Sequence, residues 1–178
     1  MELRSPNSLL TRTDYVYILL SMNRNPGGDI VSAPDSSRTQ AQACVCYNTR
    51  KVARAVTRLY DDMLRPSGLR ATQLTLLMVI DALGQPTITQ LAEQLVMDRT
   101  TLARDLRPME AAGWVAISPG EDRRTRLVRL APAGSVALRD ALPLWRAAQE
   151  ALVDRGVGEG EWARLRGDLA RLVALAQR

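Results

Sequence analysis

The chain has 178 residues, 46% of them hydrophobic, with 24 basic and 19 acidic side chains and a net charge of +5. That length suits one compact domain or a small domain with appended helices, and the apolar share argues against wholesale disorder. With no histidine, a Ser-His-Asp triad, a Cys-His pair and an HExxH zinc site are excluded, and two cysteines cannot close a tetrahedral metal site.

No GxGxxG or GxxxxGK[ST] phosphate cradle is present, so the expectation is a protein that is not an enzyme, with no metal and no cofactor. No apolar run approaches the roughly 18 residues a membrane helix needs. The short YVYILL (Tyr15 to Leu20) lacks a small-residue cleavage site behind it, so a cytoplasmic location is expected. Lys51 is the only lysine. Arginine's planar fork suits phosphates and guanine edges better than a point charge does. Genomic base composition produces the same bias, and both explanations stand.

Residues 1–40 are rich in Pro, Ser, Asn and Thr without sustained periodicity, and their four arginines are matched by four acids. They read as a neutral, flexible extension with at most one short ordered piece near Tyr15–Leu20. From Gln42 the pattern changes. Val45, Val52, Val56, Leu59 and Met63 make one stripe of a long helix that Arg65-Pro66 ends. Another face carries Arg50, Arg54 and Arg58, with Arg58 able to pair with Asp62. That face is either solvated or a seat for a partner or ligand anion.

A second helix is expected from an N-cap at Thr72 to near Gly84, apolar almost all round between Leu74 and Ile80. Gln85-Pro86 turns the chain, and Ile88 is placed to add a short strand. Thr89 is read as the cap of a third helix bearing the stripe Ile88, Leu91, Ala92, Leu95. After a turn at Val96-Met97, Asp98 caps a fourth helix with Leu102, Leu106 and Met109 inward. Arg99, Thr100, Thr101, Arg104 and Asp105 are left outward, concentrated toward its start, as a helix reading the major groove requires. Pro108 should bend or loosen the last turn, and Gly113 stops it.

Trp114–Ser118 and Arg124–Leu130 read as two strands joined by a turn opening at Pro119-Gly120. Arginines at such a tip (Arg123, Arg124, Arg126) suit the narrow minor groove, whereas Asp122 is better used inside the chain, fixing a wing arginine. From Asp98 to Arg129 seven arginines face five acids, so orientation matters more than bulk charge. Pro132 then opens a helix with Leu138, Leu142, Trp145 and Leu152 on one face and a kink expected at Pro143. Gly156 and Gly158 break it, and Trp162, Leu165, Leu169, Leu172, Val173 and Ala176 line a last helix. The fold class is therefore mainly α with a small β-hairpin wing: a winged helix-turn-helix at 67–131 plus terminal helices at 41–66 and 132–178. The apolar faces of those flanking helices need a partner, and a second subunit is the economical one.

From Ala41 onward the chain resembles the MarR family of bacterial transcriptional regulators. The stretches that carry the match are CVCYNTRKVARAVTRLYDDMLRPSGL, TQLTLLMVI, ITQLAEQLVMDRTTLARDLRPMEAAGWV, DRRTRLVRLAPAG and ALPLWRAAQ. The resemblance implies a homodimer whose first and last helices intertwine, each winged unit holding half of a palindromic operator on double-stranded DNA. It places Arg99, Thr100, Thr101 and Arg104 on the recognition helix; Thr89 and Gln90, on the helix before it, are further expected DNA contacts. Asp122 and Arg124 match the wing's Asp-x-Arg pattern, with Arg123 at the tip and Arg126 following. It further implies repression relieved by a small aromatic or phenolic effector, or by an oxidant acting through a first-helix cysteine. The neutral extension, Ala131 in place of a frequent threonine, and Pro108 depart from the usual pattern.

Tyr47, Arg50, Tyr60 and Trp145 are candidates for an effector pocket, with core packing as the alternative fate of the aromatics. Cys46 sits where oxidant-sensing relatives keep a reactive thiol, although Arg50 replaces the tyrosine they hold four residues later. Interface packing is its other reading. Cys44 and Cys46 in one helix would lie about 200° apart and bridge poorly. Two readings compete with a sequence-specific regulator: an architectural DNA-binding protein without base readout, and a helical protein whose winged unit binds protein.

Overall fold

A computed structural model describes residues 35–122 and 124–177. Most of the expected extension, including Tyr15–Leu20, and the wing residue Arg123 lie outside the described residues. The described chain falls into two compact units, Val45–Ala148 and a second formed by the segment ending at Cys44 together with residues from Gln149 on. No helix among the described residues is long and apolar enough to cross a membrane.

The first unit opens with α2 (Val45–Leu64), after α1 (Asp35–Ala43) of the other unit, which lies across the expected 40/41 boundary. A 3-10 turn at Arg65–Ser67 ends α2, with Pro66 inside it. Helix α3 (Ala71–Leu83) follows, then α4 (Ile88–Leu95), α5 (Arg99–Ala111), strands β1 (Val115–Pro119) and β2 (Arg126–Leu130), and α6 (Pro132–Gln149). The strands pair antiparallel, Val115 opposite Leu130 and Pro119 opposite Arg126. The winged helix-turn-helix is thus present in full order.

One core holds this unit together. Leu64, Leu74, Leu77, Ile80, Leu91, Leu102, Leu106, Met109 and Val128 are all fully or nearly fully buried, drawing on α2 to α5 and β2. Fully burying one such side chain is worth about 1.5–3 kcal/mol, so the stripes read on α4 and α5 set those helices' orientations. On α2, by contrast, Val45, Val52 and Val56 of the expected stripe are exposed and Leu64 is the buried residue.

Several boundaries differ from expectation, each for a local reason. Helix α3 begins at Ala71, one residue before Thr72. Its Ala71 N–H donates to the carboxylate of Asp61 at 2.7 Å, and Arg70 N–H donates to Gln73 Oε1 at 2.9 Å, so the cap comes partly from α2. Thr87, not Thr89, caps α4: its hydroxyl accepts from Gln90 N–H while Gln90 Oε1 accepts from Thr87 N–H, a reciprocal capping box. The strand position expected near Ile88 falls on Thr87, which bridges Leu127, and Val128 N–H donates to Pro86 O at 2.8 Å. Arg58 does not pair with Asp62, which is taken by Arg65. Helix α5 continues through Pro108 to Ala111, so the expected loosening does not shorten it. It closes with Gly113 at φ +72°, Gly113 N–H donating to Glu110 O and Trp114 N–H to Met109 O, the double bond of a Schellman stop.

Helix α6 is pressed onto the hairpin at Gly134. A Cβ there would lie 1.9 Å from the carbonyl oxygen of Trp114, and that same oxygen accepts the Ala131 N–H at 3.0 Å. Only glycine permits this approach.

In the second unit a π-helical segment, Glu150–Val157, replaces the glycine break expected at Gly156. Arg155 and Glu150, five residues apart, pair at 2.5 Å, which matches the wider π spacing. Helix α7 (Glu159–Ala176) follows Gly158 and exposes Leu165, Leu169, Leu172, Val173 and Leu175.

Candidate nucleic-acid interface

The turn between α4 and α5 positions the reading surface. Val96 closes α4 at φ +53°, the only non-glycine residue with positive φ among the described residues, and Met97 N–H donates back to Ala92 O. A β-branched residue in that region is strained, so the turn is held by its surroundings. Two residues on, the carboxylate of Asp98 accepts from Thr100 N–H at 2.8 Å and from Thr101 N–H at 3.1 Å. Those backbone donors, Thr101's first, hold Asp98 below the ordinary aspartate range. The start of α5 is thereby fixed by a charged cap, as sequence indicated.

Leu102, Leu106 and Met109 are buried at 0% exposure and set the rotation of α5. Arg99, Thr100 and Arg104 stand exposed, while Thr101 and Asp105 are half-buried. Arg104 keeps only a loose 3.8 Å pairing with Asp105, which leaves its guanidinium available. Arg107, absent from the sequence-based expectations, is exposed on the same face. Its spacing from Thr100 and Arg104, seven and three residues, was the signal that could have found it.

On α4, Thr89 is exposed, but the Gln90 side chain is occupied in the capping box with Thr87. At the wing, Asp122 works inside the chain. Its carboxylate accepts from the Arg124 backbone N–H at 2.9 Å, and its carbonyl accepts from Thr125 N–H at 2.8 Å. Gly120 N–H donates to Thr125 O, which closes the loop. Arg124 and Arg126 are exposed on this frame, and Arg123 lies outside the described residues. A polar helix face, a capped helix start and a hairpin with outward arginines make an anion-facing surface of the shape a duplex groove accepts.

The comparisons with known proteins agree with this geometry. The MarR family model matches residues 69–125, the stretch from the start of α3 to the wing. The solved structure of the transcriptional regulator MosR of M. tuberculosis, in complex with DNA, superposes with a TM-score of 0.68 at 40% identity, covering 75% of this chain and 96% of that one. The chain belongs to the MarR family of transcriptional regulators. A cysteine-to-serine mutant of E. coli MarR, complexed with operator DNA, matches this member of the MarR family with a TM-score of 0.64 at 25% identity, covering 70% of this chain and 89% of that one. An uncharacterized HTH-type regulator of Bacillus subtilis, YwoH, is 31% identical over 84 residues, 47% of this chain and 61% of that protein. The match therefore spans under two thirds of that relative's length.

None of the effector candidates lines the depression found between α3 and α4. Tyr47 and Arg50 are exposed on α2, whereas Tyr60 and Trp145 are half-buried against the core. Burial pushes the Tyr60 phenol above its ordinary value. The depression, open and of about 510 Å³, is lined by Leu83, Gln85, Pro86, Gln90, Glu93 and Gln94. Arg50, Arg54 and Arg58 are exposed and make no ion pair among the described residues. Cys46 is an exposed thiol on α2. Cys44 stands at the non-helical position between α1 and α2, so the angular separation reckoned for one continuous helix does not apply to it.

Proposed function

We propose that this MarR-family regulator binds a palindromic operator on double-stranded DNA as a homodimer in the cytoplasm and represses transcription. In this reading residues 67–131 are the reading unit, and 41–66 and 132–178 carry dimerisation. The observation that carries it is the outward face of α5, where Thr100 and Arg104 stand exposed on a helix start fixed by Asp98. Arg104 has the bidentate donors that guanine O6 and N7 accept, and Thr100 offers a hydroxyl to either base edge. Arg99 and Thr101 flank them, Thr89 contacts the backbone, and the wing arginines Arg123, Arg124 and Arg126 track the minor groove. Two similar proteins, MosR and the MarR mutant, were solved with DNA.

Dimerisation is supported by apolar side chains that one chain leaves uncovered: Val45 is 59% and Val52 58% exposed on α2, and five leucines and valines are exposed on α7. Solvent-facing rows of this kind belong to interfaces. Release from DNA is assigned to a small aromatic effector near Tyr47, Arg50, Tyr60 and Trp145, or to oxidation at Cys46. The deciding experiment is selection of bound sequences from random duplexes. A two-fold symmetric consensus is the expected result, and retention without any sequence preference would leave only an architectural role.

A further inference from the structure

We infer that Arg107 is a phosphate clamp, a second arginine that fixes affinity on the duplex backbone while Arg104 reads sequence. The inference rests on the DNA-reading function proposed above and adds a residue and a division of labour to it. Leu102, Leu106 and Met109, all fully buried, point to one side of α5. At about 100° per residue, the opposite side is centred between Thr100 and Arg104, and Arg107 falls within about 50° of that centre. Arg99 and Thr101 fall farther round. The outward row is thus Thr100, Arg104, Arg107.

Arg107 is exposed and makes no ion pair among the described residues, although Glu110 stands one turn on and an intrahelical pairing would be the ordinary fate of such a side chain. Asp105 is turned to Arg104 instead. The seven residues from Thr100 to Arg107 span roughly 10 Å of helix, close to the roughly 12 Å width of the major groove. With the first turn of α5 at the base edges, Arg107 reaches the wall of the groove. There its guanidinium meets the non-bridging oxygens of a phosphodiester, the planar acceptor pair its fork fits. Such contacts set register and affinity but carry no base information.

The test measures binding of the full-length wild type, R107A, R107K and R104A to two duplexes across a salt series. One duplex is the wild-type consensus from random selection and the other a scrambled version. R107A is expected to weaken both by the same factor, about tenfold per subunit, and to make the log–log salt slope shallower by about one per subunit. R107K should retain most of the slope, and R104A should instead narrow the gap between the two duplexes. Unchanged melting of R107A checks the fold. If R107A leaves affinity and slope at wild-type values, or changes the preference between duplexes, the clamp is refuted while the DNA-reading function stands. If the wild type yields no consensus and binds neither duplex, that function and the clamp fall together.

Discussion

Glycine-to-alanine replacement should have opposite effects at two helical positions of this chain, Gly134 and Gly167. At Gly134 the new Cβ would sit 1.9 Å from the Trp114 carbonyl oxygen, where real Cβ contacts stay above 3.0 Å, so the two backbones must separate by at least 3.0 − 1.9 = 1.1 Å. The three nearest atoms all belong to the Trp114 backbone, and none can rotate away. Overpacking of this kind costs about 1–3 kcal/mol, and stretching the Ala131–Trp114 hydrogen bond adds about 1 kcal/mol. Alanine's better helix propensity offsets roughly 0.5–1 kcal/mol. The net destabilisation is about 2 kcal/mol, or a fall of about 4–8 °C in Tm for a chain of this size. Gly167, in α7, has nothing within 4 Å of its virtual Cβ. There the same substitution keeps only the propensity gain and should raise Tm by roughly 1–4 °C. Thermal melts followed by circular dichroism compare the two. A G134A protein that melts at or above the wild type would refute the close approach of α6 to the hairpin.

Val96→Gly should stabilise the chain by about 1 kcal/mol, because it relieves a positive φ at a residue that is 55% exposed and loses little packing; a lower denaturant midpoint would count against strain at that turn. Asp98→Asn keeps an acceptor at the cap but not the charge. Since the folded-state pKa of Asp98 is depressed, its stabilisation is present above the ordinary aspartate value and lost as pH falls through the folded value. The wild-type advantage over D98N in melting experiments should therefore shrink on acidification, and a gap that stays constant with pH would sink the charged-cap account. Arg104→Ala should cost about 1–3 kcal/mol on the preferred duplex and relax sequence preference, as read by anisotropy titrations. Cys46→Ser should abolish any peroxide-driven release from DNA; release that persists in the variant removes oxidant sensing by that thiol.

The helices of the reading unit were legible because burial decides them: Leu91, Leu102, Leu106 and Met109 recur at helical spacing, and every one is inside. The start of α3 was not legible, since Asp61, ten residues upstream, closes it from another helix. The cap of α4 was within reach. Thr87-x-x-Gln90 is a capping-box pattern, but Thr89 two residues on is an equally good capping type and obscured it. The π segment was hidden because its glycines look like an ordinary stop, whereas its identity lies in backbone bonds and the Glu150–Arg155 spacing. At the site, Asp98 and Asp122 could be read from their turn chemistry. Arg107 was within reach from its seven- and three-residue spacing to Thr100 and Arg104, but was overshadowed by the polar residues of the helix's first turns.

The bridge from Thr87 to Leu127, with Val128 N–H on Pro86 O, has a mechanical consequence. It staples the hairpin to the residue that caps α4, and α4 is joined to α5 by the strained turn at Val96. Groove reader and arginine-bearing tip therefore behave as one lever arm and not as two fingers. Such an arm moves as a whole on its own half of a site. In the proposed homodimer on a palindromic operator, an inserted base pair between the halves would have to be accommodated by bending the DNA or by shifting a whole unit, so spacing would become part of what such a dimer recognises.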